Sequence, residues 1–339
     1  AAAEPAASYA RPGSGTRMSI DLETMDHLRR RRKVQGISAL LLPCRDDGRI
    51  DEAGFQRHLE RTLQAGLQVA VNMDTGYGDL LTPDEKRQVL KWTVEATRGR
   101  SEFVAGALPP AGNGPSYTEY IAECEAIRAA GGVPIVFPSE VTSRLDDRGL
   151  IEFFAEIARA ADRFLAFELG PMFNPNGRMF SEAVLRALME MPQCLGLKHS
   201  SLDRQTELDR LCLRDRVRPD FVVYSGNDLA MDMIEYGSDY LLGLSTFAPE
   251  AFAARDHAWA EGAAEYLELR DAIQYLGWVA FRDPVPADKH SAAIFLKLSG
   301  GLESDAIHPR AARREAWDVH FLADAARRLE HVCPAIQKL

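Results

Sequence analysis

Leu195-Gly196-Leu197-Lys198-His199-Ser200-Ser201 is the stretch on which the reading of this chain turns. A short apolar run ends in one lysine and gives way at once to small polar residues. A helical pattern over 181–191, closed by Pro192, precedes it, and Asp203 stands ready to cap a helix running toward Arg214. That is the layout of a buried parallel strand, apolar toward both faces, with its polar function at the carboxyl end. An amine delivered there over a packed floor loses solvation, which favours its neutral form and makes it a nucleophile toward carbonyls. The plain alternative is a strand-end lysine pointing to water, as most lysines do.

The surrounding 339 residues have room for one large α/β domain or two ordinary ones. A hydrophobic content of 46% fits a globular protein, and no apolar run is long enough to cross a bilayer. A net charge of −10 argues against a nucleic-acid surface. The five cysteines are scattered and never at CxxC spacing, which argues against a disulfide framework or zinc site and points to a reducing cytoplasm. Residues 1–17 are rich in Ala, Pro, Ser and Gly. Residues 19–33 read as a short polar helix ending in Arg29-Arg30-Arg31-Arg32-Lys33. The segment has no apolar h-region, and its acidic residues fit a transit peptide poorly. It is expected to lie on the surface or on a neighbouring subunit.

From Gly36 a rhythm begins of apolar run, polar turn and amphipathic helix. The runs are Ile37–Pro43, Gln68–Met73, Glu102–Gly106, Val133–Pro138, Phe164–Glu168, Cys194–Lys198, Phe221–Ser225 and Tyr240–Ser245. Helical patterns follow at Asp51–Ala65, Pro83–Thr97, Tyr117–Ala130, Arg148–Ala161, Ser181–Met191, Asp203–Arg214, Asp228–Tyr236 and Pro249–Glu261. Thr82-Pro83-Asp84-Glu85 carries the signals of a helix start: a hydroxyl cap, proline at the first position and carboxylates in the first turn. Eight strands alternating with eight helices predict a (β/α)₈ TIM barrel over 36–262, after an N-terminal extension over 1–35. A doubly wound sheet is the competitor, but no G-x-G-x-x-G follows the first strand. Helices at Tyr266–Tyr275, Lys289–Ser299 and His308–Arg328 make a C-terminal helical appendix over 263–339. Such an appendix packs on the barrel or builds an oligomer interface.

In a barrel of this kind chemistry gathers at the carboxyl ends of the strands. Those ends carry Asp74-Thr75-Gly76-Tyr77, Glu168, Lys198, Ser225-Gly226-Asn227-Asp228 and Ser245-Thr246. Lys198 comes from the middle of that ring.

On these residues the chain resembles the dihydrodipicolinate synthase / N-acetylneuraminate lyase family of class I, Schiff-base aldolases, from about Gly36 to about Arg310. The opening is Gly36-Ile37-Ser38-Ala39-Leu40-Leu41-Leu42-Pro43. The family's Gly-Thr-Thr-Gly-Glu loop with Leu-Thr-x-x-Glu is matched by Met73-Asp74-Thr75-Gly76-Tyr77 and Leu81-Thr82-Pro83-Asp84-Glu85. Its lysine motif is Gly196-Leu197-Lys198, followed by Ser225-Gly226-Asn227-Asp228 and Gly243-Leu244-Ser245. Lys297-Leu298-Ser299-Gly300-Gly301-Leu302 loosely echoes a late motif ahead of Pro309-Arg310. The resemblance implies an imine on Lys198, no metal or organic cofactor, and a small 2-oxo acid or hydroxy acid as substrate. It also implies a homo-oligomer, dimer or tetramer, with neither nucleic acid nor membrane as partner.

The departures bear on chemistry. The family's general acid/base tyrosine, in a Tyr-Asn-x-Pro motif, falls on Glu168 within Glu168-Leu169-Gly170-Pro171. Arg178 is the nearest candidate for the arginine after that motif. The first threonine of the carboxylate loop is Asp74, and the loop's glutamate is Tyr77. The tyrosine that partner subunits exchange after strand 4 is missing from Phe137-Pro138-Ser139-Glu140. An anionic Asp74 would repel a substrate carboxylate if both were desolvated. So Asp74 points away, the substrate is held differently, or Asp74 meets a hydroxyl or amine. Backbone N–H groups of Thr75 and Gly76 remain candidates for a carboxylate clamp. Glu168 is either the proton shuttle or an ion-pair partner that keeps Lys198 charged. Tyr77 is a candidate to restore the lost phenol, and Ser245 is expected to line the mouth. His199 alternates away from Lys198 and should pack against the outer helices.

The expected activity is cleavage or formation of a C–C bond in a 2-oxo acid through an imine on Lys198. A sugar-acid dehydratase using the same imine is one alternative. A barrel that binds a ligand without turnover, having lost the tyrosine, is another.

Overall fold

The computed structural model describes residues 28–99, 101–109 and 117–338. Eight parallel strands close into a barrel in sequence order, β1 (Gly36–Ala39), β2 (Gln68–Val71), β3 (Phe103–Ala107), β4 (Gly132–Val136), β5 (Phe164–Leu169), β6 (Cys194–Ser200), β7 (Val222–Ser225) and β8 (Asp239–Leu242). The ring shuts where β1 pairs with β8 at Ile37 and Leu241. Ile37, Ala70, Val104, Ile135, Leu165, Phe167 and Leu241 fill its interior, so the barrel is a packed core rather than a channel.

The outer wall comprises α1 (Glu52–Gln64), α2 (Pro83–Thr97), α3 (Tyr117–Ala129), the single turn α4 (Glu140–Ser143), α5 (Asp147–Ala160), α6 (Glu182–Glu190), α7 (Arg204–Val217) and α8 (Pro249–Glu261). Their starts follow local chemistry. Thr82 and Glu85 form a reciprocal capping box on α2, with Glu85 Oε2 accepting the Thr82 N–H at 2.7 Å. Asp146, Ser181 and Asp203 cap α5, α6 and α7 through their side chains. The buried faces carry aromatic weight: Phe154 of α5 packs against Phe153, Phe164 and Phe180. Truncating any one of these rings would cost about 3–5 kcal/mol.

Three further helices, α9 (Glu265–Ala280), α10 (Asp288–Leu298) and α11 (Asp318–Val332), follow the barrel. Among the described residues no helix is long and apolar enough to cross a membrane.

The structure departs from the sequence expectations in three places. Most of the expected leader helix lies outside the described residues. The part within them turns at 30–31, and Arg29 and Arg32 instead clasp Asp215 and Asp239. The segment after β7 is a 3-10 helix at Met231–Tyr236 rather than a helix from Asp228, because Asp228 Oδ1 accepts the Leu244 N–H at 2.8 Å. The helix expected from His308 begins only at Asp318. Upstream, the Arg314 guanidinium holds an irregular path by donating to the carbonyls of Ala280 (2.8 Å), Arg282 (2.9 Å) and Asp283 (3.2 Å).

Candidate active site

The β5–β6 register pairs Phe167 with Lys198 and Glu168 with His199, and the β6–β7 register pairs Lys198 with Tyr224. Phe167 and Tyr224 belong to the barrel interior, so Lys198 points inward, toward the carboxyl-terminal mouth. It is 8% exposed, and its Nζ lies 4.3 Å from the centroid of the Phe167 ring. Among the described residues this amine makes no hydrogen bond or ion pair. Burial pulls its pKa down to about 8, against the fields of Asp228, Asp74 and Asp288 and with a small contribution from Lys289. The Phe167 ring favours the ammonium form, but desolvation outweighs it.

Gly226 keeps room beside the amine, and Gly243 keeps room beside Thr75 and Asp228. A Cβ on Gly226 would overlap Ser200 Oγ and lie 2.9 Å from Lys198 Cε. A Cβ on Gly243 would lie 2.9 Å from Thr75 Oγ1 and 3.9 Å from Asp228 Oδ1. Lys198, Ser200, Thr75 and Asp228 therefore converge on one sector of the mouth. Ser200 alternates to the same face as Lys198, and its hydroxyl is buried without a hydrogen-bond partner among the described residues. Burial pushes Asp228 up to about 7, with the Leu244 N–H and Lys198 opposing.

The appendix completes this sector. At the start of α10, Lys289 Nζ donates to Asp74 Oδ2 at 2.8 Å and to Asp288 Oδ1 at 3.1 Å. Burial opposes its charge, but the two carboxylates hold Lys289 well above the ordinary lysine range. Burial also raises Asp288 to about 6, against the pull of Lys289. Asp74 thus meets an amine of the protein itself, that of Lys289.

Several expected roles need correction. Glu168 does not face Lys198: the pleat sends it outward, into the layer between barrel and helices. There its carboxylate is fully engaged, by His199 Nδ1 at 2.6 Å, Arg210 Nε at 2.8 Å and the Phe180 N–H at 2.7 Å. Burial works to raise its pKa, but the His199 and Arg210 contacts prevail and the net shift is downward. The β5 residue facing Lys198 is Phe167, which carries no proton. Arg178 is turned away as well, to Asp147 and the Leu145 carbonyl. The Gly76 N–H is used inside its own turn, on the Met73 carbonyl, so of the two loop residues only Thr75 has donors without a partner among the described residues. Tyr77 is sealed beneath the appendix with its ring 5.6 Å from that of His308, and among the described residues its buried hydroxyl makes no hydrogen bond of normal geometry. The Ser245 hydroxyl is spent on the Leu242 carbonyl at 2.9 Å and is fully buried.

Ser200, Asp228, Asp288 and Lys289 were not singled out by sequence reasoning. Asp228 stood in a quoted motif. Lys289 gave no signal beyond an acid–lysine pair after a proline-rich turn.

A cavity of about 450 Å³ opens over the carboxyl ends of β2 to β5, lined by Asp79, Lys86, Leu108, Ser139, Glu140 and Arg310 among others. A hollow of about 480 Å³ on the outer wall, at Gln56, Glu60 and Trp92, lies away from these groups. Among the described residues no group of three or more His, Cys, Asp and Glu side chains is arranged to hold a metal ion.

Comparison with known proteins agrees with this architecture. The sequence profile of the Dihydrodipicolinate synthetase family matches residues 33–289. A 4-hydroxy-tetrahydrodipicolinate synthase of Chelativorans sp. is 28% identical over 289 residues, covering 83% of this chain and 95% of its own. Among solved structures, a prophage protein of the dihydrodipicolinic acid synthase family from E. coli K12, in complex with pyruvate, superposes with a TM-score of 0.77. It shares 16% identity over 87% of this chain and 98% of its own. The catalytic lysine mutant of a Ruminococcus gnavus sialic acid aldolase superposes with a TM-score of 0.75, at 16% identity over 90% of this chain and 98% of its own.

Proposed function

The chain belongs to the dihydrodipicolinate synthetase family, and from that premise we propose that it is a 2-oxo-acid lyase working through an imine on Lys198. The observation that carries this is the lone amine itself: inward-facing, desolvated, free of protein hydrogen bonds among the described residues, and held near pH 8 in its titration. A pyruvate-bound relative makes pyruvate the first ligand to try.

In the proposed reaction the neutral amine attacks the keto carbon to give a carbinolamine. Loss of its hydroxyl as water leaves a protonated imine. The hydroxyl on the far carbon then gives up its proton, that fragment departs as an aldehyde, and the imine accepts the electron pair of the breaking C–C bond to become an enamine. A proton then returns to the enamine carbon, and water releases the product and restores the amine. With no phenol on β5, Asp228 is the group assigned to these proton transfers, since a carboxyl titrating near neutrality both gives and takes a proton at working pH. Thr75 offers its hydroxyl and backbone N–H to the substrate carboxylate.

Phe167 at the position facing Lys198 favours a second reading, a barrel that binds a 2-oxo acid without turning it over. A dehydratase shares the imine and differs only in the bond broken. Borohydride reduction in the presence of pyruvate, followed by peptide mapping, tests the imine: a reduced adduct on Lys198 supports it, and none on that residue rejects it. Turnover of aldol and sugar-acid substrates by the trapping-competent protein then separates lyase, dehydratase and binder.

A further inference from the structure

Lys289 is a buried ammonium with a donor to spare. An ammonium has three N–H groups. Asp74 Oδ2 at 2.8 Å and Asp288 Oδ1 at 3.1 Å take two, and the third has no acceptor among the described residues. The Lys289 and Asp288 side chains are each 7% exposed, whereas that of Asp74 is 28% exposed, so the group is open on its Asp74 side. Next in sequence to Asp74 stands Thr75, whose hydroxyl has no hydrogen-bond partner among the described residues and lies 2.9 Å from where a Cβ on Gly243 would be. A strut tying α10 to the loop after β2 needs neither a spare donor nor an open edge.

We propose that Lys289, held by Asp74 and Asp288, is the cation that receives the substrate's carboxylate, donating its third N–H to it alongside Thr75, and that it makes the site select 2-oxo acids over their neutral analogues. The proposal rests on the reading of Lys198 as the imine former and deepens it. Two lysines then divide the work. Lys198, with no carboxylate bonded to it, is the nucleophile; Lys289, bonded to two, stays charged and anchors. An arriving carboxylate is a third anion at Lys289, near Asp79 and Asp228 as well. The balance comes from Asp288 and Asp228, which burial has already brought up to about 6 and about 7, so that binding is accompanied by proton uptake on these carboxyls.

The test uses the full chain with Lys198→Ala, which removes imine formation and leaves equilibrium binding, so the result does not depend on whether Lys198 reacts. Pyruvate and its neutral amide, pyruvamide, are titrated by NMR. The expected result is a preference for pyruvate of about ten- to hundredfold, the range for a hydrogen bond to a charged group. It should be abolished by adding Lys289→Met and retained with Lys289→Arg. Asp74→Asn in the same background removes one of the two anions that compete with the substrate carboxylate for Lys289 and is expected to strengthen the preference; it also supplies a reading if Lys289→Met fails to fold. No preference for pyruvate, a preference indifferent to Lys289→Met, or one unchanged or weakened by Asp74→Asn overturns the proposal.

Discussion

Lys198 and Glu168 lie on neighbouring strands one register step apart, and the pleat sends them to opposite faces of the sheet. One is a solitary amine; the other is a carboxylate with its oxygens taken by His199, Arg210 and a backbone N–H. Glu168→Gln is therefore expected to act on stability. Removing one partner from a buried charge network costs about 3–5 kcal/mol, measurable by denaturant unfolding, while reductive trapping at Lys198 should be unchanged. A folded Glu168→Gln protein that no longer traps pyruvate would show that the carboxylate reaches the chemistry after all. Lys198 was legible because a lysine ending an apolar run has few places to go in a parallel barrel. Glu168 was misplaced because a count through the preceding helix fixes a strand position only to within a residue, and one residue exchanges inside for outside. Lys289 was illegible: it lies 215 residues from Asp74, and no local pattern reports a contact at that separation.

The strand-to-helix turns position the reacting groups. At the turn after β7, Gly226 leaves the space taken by Ser200 Oγ and Lys198 Cε. Gly226→Ala should displace the amine and slow pyruvate trapping about a hundredfold, as misplacement of a reacting group by an ångström does, with a stability loss of about 1–3 kcal/mol from the overpacking. Wild-type trapping rates in that variant would mean the crowding is relieved elsewhere.

The β1–α1 unit carries a pH dependence of its own. Thr246 Oγ1 accepts the Leu41 N–H at 2.9 Å and shares a hydrogen bond with His58 Nε2, 2.6 Å away. Burial, with help from Arg61, takes His58 from 6.5 down to about 3. Between those values the unfolded chain binds a proton that the folded chain does not, so stability falls as pH drops below about 6.5. The slope from one such proton is about 1.4 kcal/mol per pH unit. The raised Asp228, Asp288 and Glu207 act in the opposite sense in this window, so the comparison with His58→Gln isolates the term. Between pH 7 and 5 the stability curves of variant and wild type should diverge by about that slope, the variant gaining relative to wild type as pH falls; parallel curves would remove His58 from the account.

At the scale of the whole molecule, the alternation of apolar runs and amphipathic helices from Gly36 onward was enough to read a closed (β/α)₈ barrel, because eight such units have few other ways to bury both faces of a parallel sheet. The appendix was legible as helices but not as part of the site. Its path depends on Arg314 gathering three carbonyls across the turn before α10, and that path carries Asp288 and Lys289 to the barrel mouth. The molecule thus presents one desolvated amine in the fields of Asp228, Asp74 and Asp288, with a second lysine held on Asp74 and Asp288.

The rate of cyanoborohydride trapping of pyruvate at Lys198, followed by peptide mass spectrometry across pH, tests this most directly. Desolvation as described predicts an adduct on Lys198 whose formation rises with pH to a half-maximum near pH 8. Absence of that adduct, or a midpoint at the 10.5 of an ordinary lysine, would contradict the account.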